Sequence, residues 1–307
     1  MVEYRAMAMS ESRRKKLELL TRSLVRRDFA SAGELLARHG HSAVNIPRSS
    51  GPAEPLELAA ACPGEMATID LPAGPANCYL VRRRLDQIAG EDVAIARQYA
   101  SVLRGAGQRL DELEASVGLC HAANAAPEDV LFLDTETCGL AGNMIFLMGL
   151  MFYTEGQLVF EQYLARDYSE EAAVLGAFAA RAASAGVLVS FNGKAFDTNL
   201  MRERAAFHRL ELGLDALDRR HVDLLHESRK RWRGKLPNCR LQTLERHFCS
   251  RVRVGDIPGA AIPDAYHRFV HSGDARQMKD ILHHNLLDLL TMAQILCLVL
   301  TGADPTA

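Results

Sequence analysis

No cysteine pair spaced C-x-x-C occurs in this 307-residue chain, although it contains seven cysteines. That excludes a zinc ribbon, a thioredoxin-type site and a disulfide framework, and leaves ordinary reduced thiols. A surplus of one charge is also missing. Lys+Arg total 36 against 38 Asp+Glu, a formal net charge of -2, so the chain does not coat nucleic acid through bulk positive charge and any such site must be local. Long apolar runs are absent too. The longest, Met144 to Tyr153, is about half of the ~20 residues a membrane helix needs, and Ile295 to Leu300 is shorter still. The basic run Arg13-Arg-Lys-Lys16 leads into no apolar segment, so a secretory signal is not expected. A cytoplasmic protein without a membrane partner is the expectation. Internal repeats are lacking as well. What is present, 48% hydrophobic and 24% charged residues, is enough to bury a sizeable core in one large domain or two ordinary ones.

The composition changes along the chain. Residues 1–125 read as a mainly helical region of unassigned role. A helix is expected over Glu11–Arg38, with Leu17, Leu20, Leu24 and Leu35 at helical spacing, followed by a Pro-, Gly- and Ser-rich loop over Gly40–Pro55. Two short strands, Thr68–Leu71 and Cys78–Val81, flank the turn Pro72-Ala-Gly-Pro75, and a long helix over Asp92–Val117 is open to interruption at Gly105 and Gly107. Residues 126–302 alternate between strand and helix. Val130–Asp134, Met144–Tyr153 and Gln157–Leu164 are expected as an antiparallel meander, the last two joined at Thr154-Glu-Gly. A helix with a Ser169-Glu-Glu start runs to Ser184. Then come a strand at Val187–Phe191, a helix at Ala195–His208, a strand at His221–Leu225 and a last helix at Ala275–Leu300. Three strands, helix, strand, helix, strand is the order of a ribonuclease-H-like α/β domain, a mixed five-stranded sheet flanked by helices.

Carboxylates gather where those strands end. Asp134-Thr-Glu136 closes the first strand, and period-two alternation turns both acids to one face. Asn192-Gly-Lys-Ala-Phe-Asp197 leaves a buried strand and brings a third acid to the same sheet edge. The fourth is Asp288 in the last helix, where His284, four residues earlier, shares its face and His283 is rotated away. Four neighbouring carboxylates cannot all stay ionised without positive charge between them. Two divalent cations, Mg²⁺ or Mn²⁺, would supply it, and a metal pair ~4 Å apart suits in-line phosphodiester hydrolysis.

Asp134-Thr-Glu-Thr-Cys-Gly-Leu140, Asn192-Gly-Lys-Ala-Phe-Asp197 and His284-Asn-Leu-Leu-Asp288 resemble the three exonuclease motifs of the DEDD 3′-to-5′ exonuclease superfamily. The run from Asp223 through Trp232 and Leu236-Pro-Asn-Cys-Arg-Leu-Gln-Thr-Leu-Glu245 to Asp256-Ile-Pro-Gly259 and Ile262-Pro263 is similar, more narrowly, to YprB-type ribonuclease-H-fold proteins. The resemblance covers about Asp129 to Leu300. It implies metal ligation by Asp134, Glu136, Asp197 and Asp288, with a histidine activating water. The commoner histidine subclass places that residue five before the aspartate, at His283, whereas helical register favours His284. The resemblance also points to a helicase partner and to DNA repair.

Several residues have two readings. Asn192 is a turn residue or an amide that positions Asp197. Asp223 reads as a helix cap in preference to a fifth ligand, Trp232 as core or as a base-stacking platform. His267, His271 and His283 read as surface or packing residues. Between Arg219 and Arg253 eleven basic residues face three acids, a local charge of +8, which places Arg229, Lys230 and Arg231 on a path for a phosphate backbone. Thr137, Leu140 and Asn192 complete the candidate substrate contacts, with Leu140 as an apolar wedge against a terminal base. The leading function is a metal-dependent exonuclease on single-stranded 3′ ends of nucleic acid. An endonuclease on the same fold and a non-catalytic binding module are its rivals.

Overall fold

Val130 and Phe132 point into one apolar core while Leu131 and Leu133 point into another, as the alternation of a strand buried on both faces requires. In the computed structural model, which describes residues 54–88, 91, 93–108, 115–139 and 144–303, these residues belong to a mixed α/β fold. Its strands are β1 (Glu65–Leu71), β2 (Gly74–Arg84), β3 (Val130–Thr137), β4 (Ile145–Thr154), β5 (Gln157–Leu164), β6 (Val187–Ser190) and β7 (His221–Asp223). Among the described residues they form one sheet of seven, in the order β1-β2-β5-β4-β3-β6-β7. Pairing is antiparallel from β1 through to β3, and parallel from β3 to β6 and β7.

The expected five strands correspond to β3 through β7, and the sheet extends past them. β2 pairs with β5, setting Tyr79 opposite Leu164 and Arg84 opposite Val159. Without it β5 would be a long apolar edge with unpaired backbone groups. The sheet therefore does not stop at residue 126, because residues 65–84 supply its two outer strands. The helix expected over Glu11–Arg38, most of the loop after it and Leu140 lie outside the described residues.

Besides two single turns at Leu58–Ala61 and Leu214–Leu217, the helices among the described residues are α1 (Ala94–Ala106), α2 (Val117–Ala123), α3 (Glu171–Ala182), α4 (Asp197–His208), α5 (Leu224–Trp232), α6 (Leu241–Phe248), α7 (Ile262–Ser272) and α8 (Arg276–Thr301). The helix expected over Asp92–Val117, open to interruption at Gly105 and Gly107, is α1 and ends beside Gly107, and α2 starts anew where the Ser116 hydroxyl accepts from the Leu119 N–H. Ser169 does not cap α3. Its hydroxyl donates to Asp167, and the helix begins after Glu170, whose backbone is already helical.

α8 is long and apolar enough to cross a membrane by length and composition, yet 78% of its most apolar window is buried inside the protein. It is a core helix shared by both faces of the sheet. Met278, Ile281 and Leu282 pack in one core, and Leu286, Leu287, Leu289 and Leu290 in the other. The changeover falls at His284 and Asn285. β3 pairs with β6 only from Val130 to Phe132, but with β4 as far as Thr137. Past Phe132 the pairing of β3 with β6 stops, and the strands part at their carboxyl ends in the crevice that is the usual place for a site in an open α/β sheet.

Candidate active site

Asp134 and Glu136 lie on the part of β3 that has lost β6 as a neighbour. The β3–β4 register shifts between Glu136 and Thr137, a bulge that ends the strand at the crevice. Thr135, between the two acids, donates its hydroxyl to Asp197 Oδ1. Asp197 arrives from the end of β6 through a tight turn. There Asn192 has φ +66°, and a Cβ on Gly193 would lie 2.2 Å from Ser190 Oγ and 3.2 Å from Asp197 Oδ2. The turn is tied down by Asp223, which accepts from the Asn192 N–H at 2.9 Å and the Lys194 N–H at 3.2 Å while capping α5 through the Leu225 N–H. Asn192 thus acts here through its backbone, as a turn residue.

α8 contributes the remaining groups. His284 is buried, Asp288 half-buried and His283 exposed. The helix is continuous from Arg276, so His283 does not swing in from a loop. His284 Nδ1 lies 2.9 Å from Asp256 Oδ2, and its Nε2 lies 3.6 Å from Asp288 Oδ2. With a carboxylate on Nδ1 the proton sits there, leaving Nε2 as the acceptor facing the crevice. Arg253 holds Asp288 from the other side, donating also to Glu245 Oε2 at 2.7 Å and Asp256 Oδ2 at 3.3 Å.

The electrostatics follow from this crowding. Burial pushes the Asp134 carboxyl well above the usual range, and the charges of Asp288, Glu136 and Asp197 push it further. Glu136 is driven up in the same way by burial and then by Asp288, Asp197 and Asp256. Asp197 is raised by burial against the opposing Thr135 bond, and Asp288 by burial against Arg253 and His284. The four acids therefore share one field, which Arg253 answers at Asp288. Their donor set, carboxylate oxygen throughout, is the one hard divalent cations take. Among the described residues no three His, Cys, Asp or Glu side chains close around a single point, since Thr135 draws Asp197 aside and Arg253 draws Asp288. The fit to metal lies in donor chemistry and charge.

The other expected contacts have the following surroundings. Trp232 is 1% exposed and packs its ring 4.6 Å from Phe248, so it is a core residue. The Thr137 hydroxyl donates to the Gly139 carbonyl. Arg229 and Lys230 are exposed on α5, but Arg231 bonds Glu227 at 2.6 Å. Arg251 is held by Glu91 and Glu245. The basic stretch is thus less free than its local charge suggests, because Arg231, Arg251 and Arg253 answer internal carboxylates. The sequence marks no role for Asp256 or Thr135 and counts Arg253 only within the basic stretch. Asp256 stood in a quoted motif, yet nothing local marks an acid as a histidine's partner. Phe196, 61% exposed immediately before Asp197, was also passed over.

Residues 131–299 match the family model RNase_H_2, described as RNase_H superfamily. Over 184 residues, 58% of this chain, the sequence is 33% identical to the uncharacterized protein YprB of Bacillus subtilis (strain 168). The match spans 44% of that protein's length.

Proposed function

Because this chain belongs to the RNase H superfamily, a fold of nucleic-acid hydrolases, we propose that it is a metal-dependent 3′-to-5′ exonuclease acting on single-stranded ends. The observation that carries this reading is the meeting of Asp134, Glu136, Asp197 and Asp288 in one crevice, where burial raises all four and the charges of the others raise Asp134 and Glu136 further. Two Mg²⁺ or Mn²⁺ ions held by these carboxylates would activate water and stabilise the leaving oxygen. His284 stands at Asp288 with its Nε2 free to take a proton, and Asp256 keeps the ring in that orientation. The Asp223-tied turn fixes where Asp197 enters, and the same aspartate starts α5, whose Arg229 and Lys230 lead away from the site as a phosphate path. The motif order and spacing support the exonuclease over the endonuclease.

The test is digestion of matched DNA and RNA oligonucleotides labelled at either end, with and without Mg²⁺ or Mn²⁺. A ladder receding from the 3′ end, lost with the metal and lost in Asp134→Asn, is expected. Internal cuts would replace the exonuclease with an endonuclease. An Asp134→Asn protein keeping a tenth of the activity, a loss of only ~1.4 kcal/mol in transition-state stabilisation, would remove the two-metal mechanism.

A further inference from the structure

One glycine lies at the centre of a row across three strands. Gly149 of β4 is opposite Asp134 of β3 on one side and opposite Gln162 of β5 on the other. A side chain there would fill the space between them. A Cβ on Gly149 would stand 2.1 Å from Asn285 Oδ1, so its absence is what lets Asn285 of α8 descend onto the sheet. Asn285 Nδ2 then donates to Asp134 Oδ2 at 2.8 Å, and Gln162 Nε2 donates to Asn285 Oδ1 at 2.8 Å. Both amides are fully buried.

The direction of this chain is dictated. Gln162 Nε2 also donates to the Leu282 carbonyl at 2.7 Å, and a carbonyl can only accept. Gln162 must therefore present its nitrogen, Asn285 must answer with its oxygen, and the Asn285 nitrogen is left facing Asp134. The arrangement has a cost, because Gln162 Oε1 is buried without a partner. Simple packing would be served by an apolar pair at lower cost.

We propose that Gln162 and Asn285 form an amide relay, seated over Gly149, that positions the Asp134 carboxylate for metal ligation. A donor held on Oδ2 fixes the carboxylate plane and leaves Oδ1 for the ion. Asn285 and Gln162 are positioning residues, and the proposal rests on the metal-dependent reading above. The relay links β5 to the reacting edge through a helix residue that follows His284 and precedes Asp288 on α8.

The test uses the full chain and two variants that leave Asp134 and Asn285 in place. Gly149→Ala displaces the Asn285 amide, and Gln162→Met removes the donor that sets its orientation. Mn²⁺ affinity is measured by electron paramagnetic resonance, with kcat and KM on a labelled oligonucleotide and the melting temperature beside it. Both variants should weaken Mn²⁺ binding by about 10- to 100-fold and lower kcat at unchanged KM. Should Gly149→Ala fail to fold, Gln162→Met decides. Mn²⁺ affinity within twofold of the parent, with only the melting temperature lowered, would overturn the relay and leave a packing role. If the parent binds Mn²⁺ and the variants bind it weakly, but none hydrolyses nucleic acid, the relay stands and the exonuclease reading falls. A parent that takes up no Mn²⁺ sinks both.

Discussion

One imidazole joins two carboxylates from different parts of the chain: His284 reaches Asp256 through Nδ1 at 2.9 Å and faces Asp288 through Nε2 at 3.6 Å. The first contact fixes the tautomer and the second aims the free nitrogen at the crevice. His284→Ala should therefore cost on the order of 10²-fold or more in kcat, and Asp256→Asn about tenfold through loss of orientation. His283, exposed on the same continuous helix, should be nearly silent when replaced by Ala. Side-by-side rates in Mn²⁺ check this. A dead His283→Ala beside an active His284→Ala would reverse the assignment.

The raised carboxyls predict how stability varies with pH. An acid whose pKa rises on folding holds more protons in the native state, so unfolding free energy falls as pH rises. For Asp134 and Glu136 the window opens at the unfolded carboxylate value of about 4 and extends up to their raised folded values. Glu161 acts oppositely. Burial alone would raise it, but the bonds from Arg181 and Tyr163 hold it down, so its contribution is lost only as pH falls through its lowered folded value. Metal-free protein should accordingly melt lower at pH 8 than at pH 5, and Asp134→Asn or Glu136→Gln should raise the melting temperature at pH 8. For a domain of this size about 2–4 °C per kcal/mol relieved is expected in thermal scans with chelator. A variant melting at or below the parent would show that the acids are not in conflict.

Much of this was legible because strand and helix periods are local. Gln157–Leu164 alternates and is β5, and the four-residue step from His284 to Asp288 is a helical neighbour relation that α8 keeps. What was not legible depends on pairing at a distance. β1 and β2 read as isolated short strands, and nothing in residues 65–84 says that β5 is their partner. Gln162 and Gly149 look like an ordinary strand polar residue and an ordinary strand glycine until α8 is laid across them. Ser169 carried a good capping signal and lost to the competing acceptor Asp167. Arg251 and Arg253 counted as surface charge, since a sequence cannot show that Glu91, Glu245 and Asp288 converge on them.

The basic face of α5 gives a third prediction. Arg229, Lys230 and Arg231 replaced together by Ala should raise KM and flatten its salt dependence, with kcat changed less, since phosphate guidance binds ground and transition states alike. Each lost phosphate contact should reduce the salt slope by about one. Arg231 is held by Glu227, so its own share of the effect is expected to be smaller than that of the exposed Arg229. An unchanged slope across a salt series would place the nucleic-acid path on another face.

Arg253 carries the last prediction. Its guanidinium, 6% exposed as a side chain, touches Glu245, Asp256 and Asp288 at once. Asp288 is one of the raised carboxylates of the crevice, so the arginine is the protein's own countercharge there. Removing one partner from such a buried arrangement leaves uncompensated charge, which costs about 3–5 kcal/mol. Arg253 meets the three acids through three separate nitrogens, whereas lysine gathers its three donors on one, so it should recover only part of the loss. A divalent cation bound beside Asp288 would return positive charge to the same place, and binding to the native state adds stability by mass action. Arg253→Ala should therefore melt well below the parent in chelator and gain more from added Mg²⁺ than the parent does. Arg253→Lys should fall between the two. Thermal unfolding of all three proteins with and without Mg²⁺ checks this. If Arg253→Ala melts with the parent in chelator, the guanidinium is not what holds these carboxylates together. If Mg²⁺ raises parent and variant equally, the ion and the arginine do not answer the same charge.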